Sequence, residues 1–75
     1  MPTLPKETAA KVIATNVGCI KTLLENALVT VIEADAAVDQ NEMNLAIGCL
    51  LDIEPLLANA KALYDTTIFF HRNAK

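Results

Sequence analysis

Two thiols are the first residues in this chain whose type could carry chemistry. Cys19 and Cys49 each follow a glycine, in Val17-Gly18-Cys19-Ile20 and Ile47-Gly48-Cys49-Leu50. A nucleophilic or redox cysteine needs a group that favours its thiolate, such as a neighbouring histidine or a second cysteine in a C-x-x-C pair. The chain has no C-x-x-C, and its one histidine, His71, lies near the far end. The expectation is therefore two small buried thiols. In a hairpin turning near Val38, Cys19 would lie level with about Leu57 and Cys49 with about Ala27. That stagger puts the sulfurs about 12 Å apart along the axis. A disulfide needs Cα atoms within about 7 Å, so no bridge within one chain is expected. The likeness of the two Gly-Cys segments is too short to mark a repeat. Close helix approach is the better reason for Gly18 and Gly48, since each costs about 1 kcal/mol of helix propensity.

The remaining chemistry-bearing residues form weaker sets. Glu33, Asp35, Asp39 and Glu42 crowd the middle of the chain. They lack the D-x-D-x-D-G spacing of a calcium loop and the glycine that lets such a loop wind around its ion, so no metal site is expected. A docking surface for a basic partner is the stronger use of these acids. His71, Arg72 and Lys75 could hold an anion, but a solvated end is the simpler reading. Tyr64 could stack on a ligand, yet its spacing suits a core ring with its hydroxyl at an edge. There is no glycine-rich phosphate loop and no Ser/His/Asp or Cys/His set. No catalytic residue, no cofactor and no enzymatic activity are expected.

These residues must be positioned by helices. The chain is 75 residues long, 53% hydrophobic, and has three aromatic residues, so its core is Leu, Ile, Val and Ala. A chain this short buries a poor fraction of its surface alone and usually needs a disulfide, a metal or a partner. Its net charge is −3 and its pI about 4.8, which opposes the phosphate neutralisation that drives nucleic-acid binding. No basic segment followed by an apolar one opens the chain, and no uninterrupted apolar run approaches the roughly 18 to 20 residues that span a bilayer. A cytoplasmic protein with no membrane contact is expected.

The first helix is predicted from about Pro5 to Ala36. Proline suits a first helical turn, and Glu7 suits the dipole there. Its seam reads Ala10, Ile13, Val17, Ile20, Leu24, Ala27, Val31, Ala34 and Val38, in alternating steps of three and four. That is the 3.5-residue spacing of left-handed helix packing. Leu23, Leu28 and Ile32 widen the stripe beyond what a two-stranded coil needs.

The turn is expected within Ala34 to Gln40. Asp39 would then cap a second helix starting at Gln40, with Glu42 completing a capping box. The stretch from Asn41 to Arg72 organises the chain. Its seam reads Met43, Ala46, Leu50, Ile53, Leu57, Ala60, Tyr64, Thr67 and His71, and Cys49, Leu56, Leu63 and Phe70 form a row beside it. Pro55 cannot donate to the Leu51 carbonyl and crowds that turn. The seam keeps its phase across it, so a kink is expected rather than a break restarting from Asp52.

The predicted architecture is all-α: a two-helix antiparallel hairpin over residues 5–72, between a flexible tail, 1–4, and a frayed end, 73–75. Two slender helices leave apolar sides open, so pairing into a homodimeric four-helix bundle is expected. Its core would use Ile13, Val17, Ile20, Leu24 and Val31 with Leu50, Ile53, Leu56, Leu57, Leu63 and Tyr64. Between Thr22 and Ala60 there are seven acids and no base. The turn end is thus acidic and the open end basic, which favours an antiparallel pair.

In outline this architecture is similar to the Rop hairpin of plasmid copy-number control, in architecture and in no motif. The function expected first is a non-enzymatic interaction module, an adaptor or stoichiometric regulator of the accessory type found in phages and plasmids. It would dock on another protein through the acidic turn and through Phe69 and Phe70. The alternatives are Rop-like nucleic-acid binding through Lys6, Lys11, Lys21, Lys61 and Arg72, and a small-ligand site between subunits using Tyr64, His71 and Arg72.

Overall fold

The computed structural model describes residues 5–74; the expected tail, 1–4, and Lys75 lie outside the described residues. Three helical segments follow in order: α1, Lys6–Asp39; α2, Met43–Asp52; and α3, Glu54–Asn73. Segments α2 and α3 are one arm bent at residue 53, and the chain is an all-α hairpin with no strand among the described residues. It measures 54 × 18 × 12 Å. Pro5 stands just outside α1 at φ −57° and ψ 148°. Its carbonyl accepts the Ala9 N–H at 2.9 Å, and Glu7 lies in the first turn as expected.

The turn falls later than the sequence suggested. α1 runs on through Ala36 to Asp39, and no capping box forms, because Glu42 precedes α2 without any side-chain cap. What stops α1 is Asn41, the one described non-glycine residue in the left-handed region, at φ 59°. The Asn41 N–H donates to the Val38 carbonyl at 2.9 Å and the Glu42 N–H to the Ala37 carbonyl at 2.8 Å. These two bonds make a Schellman motif, which satisfies carbonyls that the helix end would leave orphaned. Asparagine tolerates left-handed backbone better than any residue but glycine. Asn41→Gly is therefore expected to raise stability by about 0.5–1 kcal/mol, and Asn41→Val to lower it by about 1–2 kcal/mol. Urea denaturation at fixed protein concentration measures both.

The second arm bends and continues, as predicted from Pro55. Ile53 keeps helical dihedrals, φ −85° and ψ −10°. Its N–H donates at 3.2 Å to Leu50, a tighter bond than the α pattern, and the Leu57 N–H resumes the pattern on the Ile53 carbonyl at 2.9 Å. Pro55 is the second residue of α3, where a missing N–H costs least. Asp52 makes no side-chain cap on α3.

The seam between the arms is built of small residues. Ala9, Ala27, Ala34 and Ala37 of α1 are buried with Ala46, Ile53, Ala60 and Thr67 of the other arm. Half-buried Ile13, Asn16, Ile20, Leu23 and Thr30 fill the first row, and Cys49, Leu56, Leu63 and Phe70 fill the second. The steps again alternate three and four, but only half the expected seam is in it. Ile13, Ile20, Ala27 and Ala34 and, opposite, Ala46, Ile53, Ala60 and Thr67 belong to both. The other rows are displaced by one residue. Val17, Leu24, Val31 and Val38 are exposed, as are Met43, Leu50, Leu57 and Tyr64; His71 is exposed with them. On α1 the physical reason is size, whereas on the second arm the two competing rows are alike in size and follow the phase that α1 sets. Interaxial distance depends on the side chains at the contact, and alanine lets two helices approach closely while leaving larger residues outside. The buried hydroxyl is not left unpaired: Thr67 Oγ1 donates to the Leu63 carbonyl at 2.7 Å.

The later turn also resets which residues are level. Ala34, Ala37 and Ala46 form one buried cluster with Cys49 packed against it. Cys49 is therefore level with Ala34 rather than Ala27. Cys19 shares a groove with Asn59, Ala62 and Leu63 rather than lying level with Leu57. The thiols are free, Cys49 half-buried and Cys19 exposed, so the expected burial fails for Cys19. Their separation along the axis grows to about 22 Å.

Candidate interaction surface

The hairpin has two unlike flanks. On one, Val17, Leu24, Val31 and Val38 of α1 recur every seven residues beside Met43, Leu50, Leu57 and Tyr64 of the second arm. Val31, Val38, Met43 and Leu50 line one groove together, so the two rows share a side. Leu28 and Ile47 lie one step further out. We call this the leucine–valine flank. It carries ten of the fifteen large hydrophobic residues that are exposed; Leu24 is 46% exposed and Leu57 46%. No large side chain is fully buried among the described residues. Monomeric soluble proteins seldom expose a continuous apolar strip of this length.

The opposite flank is smaller and more polar. Thr15, Gly18, Cys19 and Thr22 face Asn59, Ala62 and Leu63 across a groove of about 720 Å³ that is open to solvent. Thr22 Oγ1 donates to the Gly18 carbonyl at 3.2 Å. Gly18 and Gly48 do not serve close approach of the two arms, because a Cβ built at either meets nothing within 4 Å. The helices meet at alanines instead.

The expected docking residues separate. Glu33, Asp35, Asp39 and Glu42 are all exposed at the turn end. Phe69 is exposed, whereas Phe70 belongs to the seam; their rings meet edge to face with centroids 6.0 Å apart. Of the expected dimer core, Ile13, Ile20, Ile53, Leu56 and Leu63 already line the seam within one hairpin. Val17, Leu24, Val31, Leu50, Leu57 and Tyr64 lie on the leucine–valine flank. The sequence carries a signal for that division in α1. Both seams share a row, and on α1 three of the five competing pairs differ in size: Asn16, Thr30 and Ala37 against Val17, Val31 and Val38.

The alternative sites are laid out less favourably. The five bases proposed for nucleic acid divide between faces. Helical spacing sets Lys21 and Lys61 at the edges of the leucine–valine flank and Lys11 and Arg72 on the back. His71 and Lys6 line a small groove at the open end with Ala9, Ala10, Ile13 and Ala74, while Arg72 lies outside it. Lys61 Nζ donates to Asp65 Oδ1 at 2.6 Å and stands 5.3 Å from the Tyr64 ring centroid. The Asp65 hydrogen bond, then its charge, raise the lysine's pKa above its ordinary value. A raised lysine pKa keeps this exposed pair intact at neutral pH and releases it only as pH rises above the ordinary lysine range. No group of three or more metal-ligating side chains gathers among the described residues.

Each arm contains an 18-residue stretch long and apolar enough to cross a bilayer by length and composition alone, although neither is an uninterrupted apolar run. Lys21 and Glu25 interrupt one arm and Asp52 and Glu54 the other. An ionised group deep in a bilayer costs about 2.5–3.5 kcal/mol.

Fold and surface together define the class, an all-α helical hairpin with one long apolar flank. No family model matches the chain, and neither a curated protein nor a solved structure is detectably similar to it.

Proposed function

We propose that the chain is a small non-enzymatic protein-interaction module, an adaptor or stoichiometric regulator acting in the cytoplasm. The observation that supports this is the inversion of side-chain size: alanines are buried in the seam, while Val17, Leu24, Leu50 and Leu57 face outward. Leaving a Leu or Val side chain in water forgoes about 1.5–3 kcal/mol relative to full burial. Apolar rows at positions seven residues apart, on two parallel rods, match the face of another helical chain. The acidic turn end, with Glu33, Asp39 and Glu42, remains free for a basic target.

A photo-crosslinking side chain tests the reading in cells that make the protein. Placed at Leu24, on the leucine–valine flank, it is expected to give strong crosslinks to polypeptide. Placed at Asn26, on the threonine side, it is expected to give few. Equal and weak labelling from both positions would overturn the proposal.

A further inference from the structure

We propose that the leucine–valine flank is covered by a second copy of this chain, lying antiparallel with its two-fold axis at Leu28. The inference rests on the reading of that flank as a docking surface and commits to its occupant. Two observations carry it, one of area and one of charge.

The area is the amount a stable pair needs. A folded monomer of 8.1 kDa exposes about 4,500 Å², whereas this hairpin exposes 5614 Å². The excess is about 1,100 Å² per chain, or about 2,200 Å² for two copies. The two elongated arms thus have surface to spare for the roughly 2,000 Å² that an obligate pair covers.

The charges beside the flank choose the orientation. With Ala34 level with Cys49 and Ala37 close to Ala46, Lys21 and Lys61 lie level with each other on the two outer edges. Two hairpins stacked flank to flank by a two-fold axis have only two arrangements. In the parallel one, α1 covers the partner's second arm at the same level, so Lys21 meets the partner's Lys61. In the antiparallel one, α1 covers the partner's α1 head to tail. Lys21 and Asp35 lie seven residues to either side of Leu28. With Leu28 on the axis, Lys21 meets the partner's Asp35, and the contact occurs twice. Neither residue has an ion-pair partner among the described residues of its own chain.

The apolar rows fit the same axis. Leu24 falls opposite the partner's Val31, and Val17 opposite the partner's Val38. On the other arm, where the axis passes near Glu54 and Pro55, Leu50 falls within about one helical turn of the partner's Leu57. Lys61 is held by Asp65 in its own chain, so Lys21 and Asp35 decide the orientation.

Light scattering and sedimentation equilibrium on the full chain test this. At micromolar concentration the expected mass is that of two chains. Lys21→Glu and Asp35→Lys are each expected to weaken association about tenfold, since each turns two exposed attractions into repulsions. The double variant K21E/D35K restores the native affinity. In a chain carrying Cys19→Ser and Cys49→Ser, Leu28→Cys links to itself under mild oxidation and Val17→Cys does not. Tighter association of K21E would overturn the antiparallel assignment, because it is the result that a Lys21–Lys61 clash predicts. A one-chain mass would overturn the pairing, as would loss of the two-chain species to neutral phosphatidylcholine vesicles. A one-chain mass with strong crosslinks from Leu24 to a foreign protein would sink only the self-pairing. The same mass with no crosslinks would sink the docking surface as well.

Discussion

Enlarging Ala37 to leucine is expected to destabilise the hairpin by about 1–3 kcal/mol, the usual cost of forcing extra methylenes into a filled contact. Ala37 is 4% exposed and belongs to the cluster with Ala34 and Ala46 that holds the turn end together. Its carbonyl also accepts the Glu42 N–H, so a displaced backbone would loosen the helix stop. Ala36→Leu, one residue away and exposed, is expected to change stability by no more than about 0.5 kcal/mol. Urea denaturation followed by circular dichroism, at one protein concentration, compares them. A larger loss from position 36 than from 37 would mean that the seam lies in another phase.

The largest effect on assembly is expected from Leu24→Glu combined with Leu57→Glu. In the proposed pair, two-fold symmetry would place four carboxylates in one interface, none with a partner. Burying ionised groups without compensation costs several kcal/mol, so association should weaken on the order of a hundredfold or more. Sedimentation equilibrium is expected to show single chains, and thermal stability should lose its dependence on concentration. The matching change on the other flank, Thr22→Glu with Asn59→Glu, should leave the two-chain mass unaltered. If the threonine-side pair dissociated the assembly and the leucine-side pair did not, the interface would lie across the Cys19 groove instead.

Much of the fold was legible from residue spacing. The alternating steps of three and four foretold two long helices, and Pro55 foretold the bend. Two features were harder to read, for physical reasons. A stripe four positions wide contains two seams that share a row, and periodicity alone cannot choose between them. The choice depends on how closely the backbones approach, hence on alanine against leucine. The turn was missed because Asp39 and Glu42 imitate a capping box, while Asn41 stops the preceding helix with its backbone angle. Of the residues expected to dock, the acidic turn end is exposed and Phe70 is committed to the seam. Reading Leu24 and Leu57 as inward-facing followed directly from the phase error.

The three-residue turn has a consequence for the order in which the molecule assembles. Ala37 and Ala46 are close in sequence, and closing so short a loop loses little chain entropy. Ala9 and Ala74 share a groove at the opposite end, and joining them first would demand closure of nearly the whole polypeptide. Contacts should therefore zip outward from Asn41, with sequence-local pairs made before remote ones. In the native state the same gradient runs backwards. Fraying begins at the open end, so amide protection is greatest around Ala34 and Ala46 and fades toward Ile13 and Phe70.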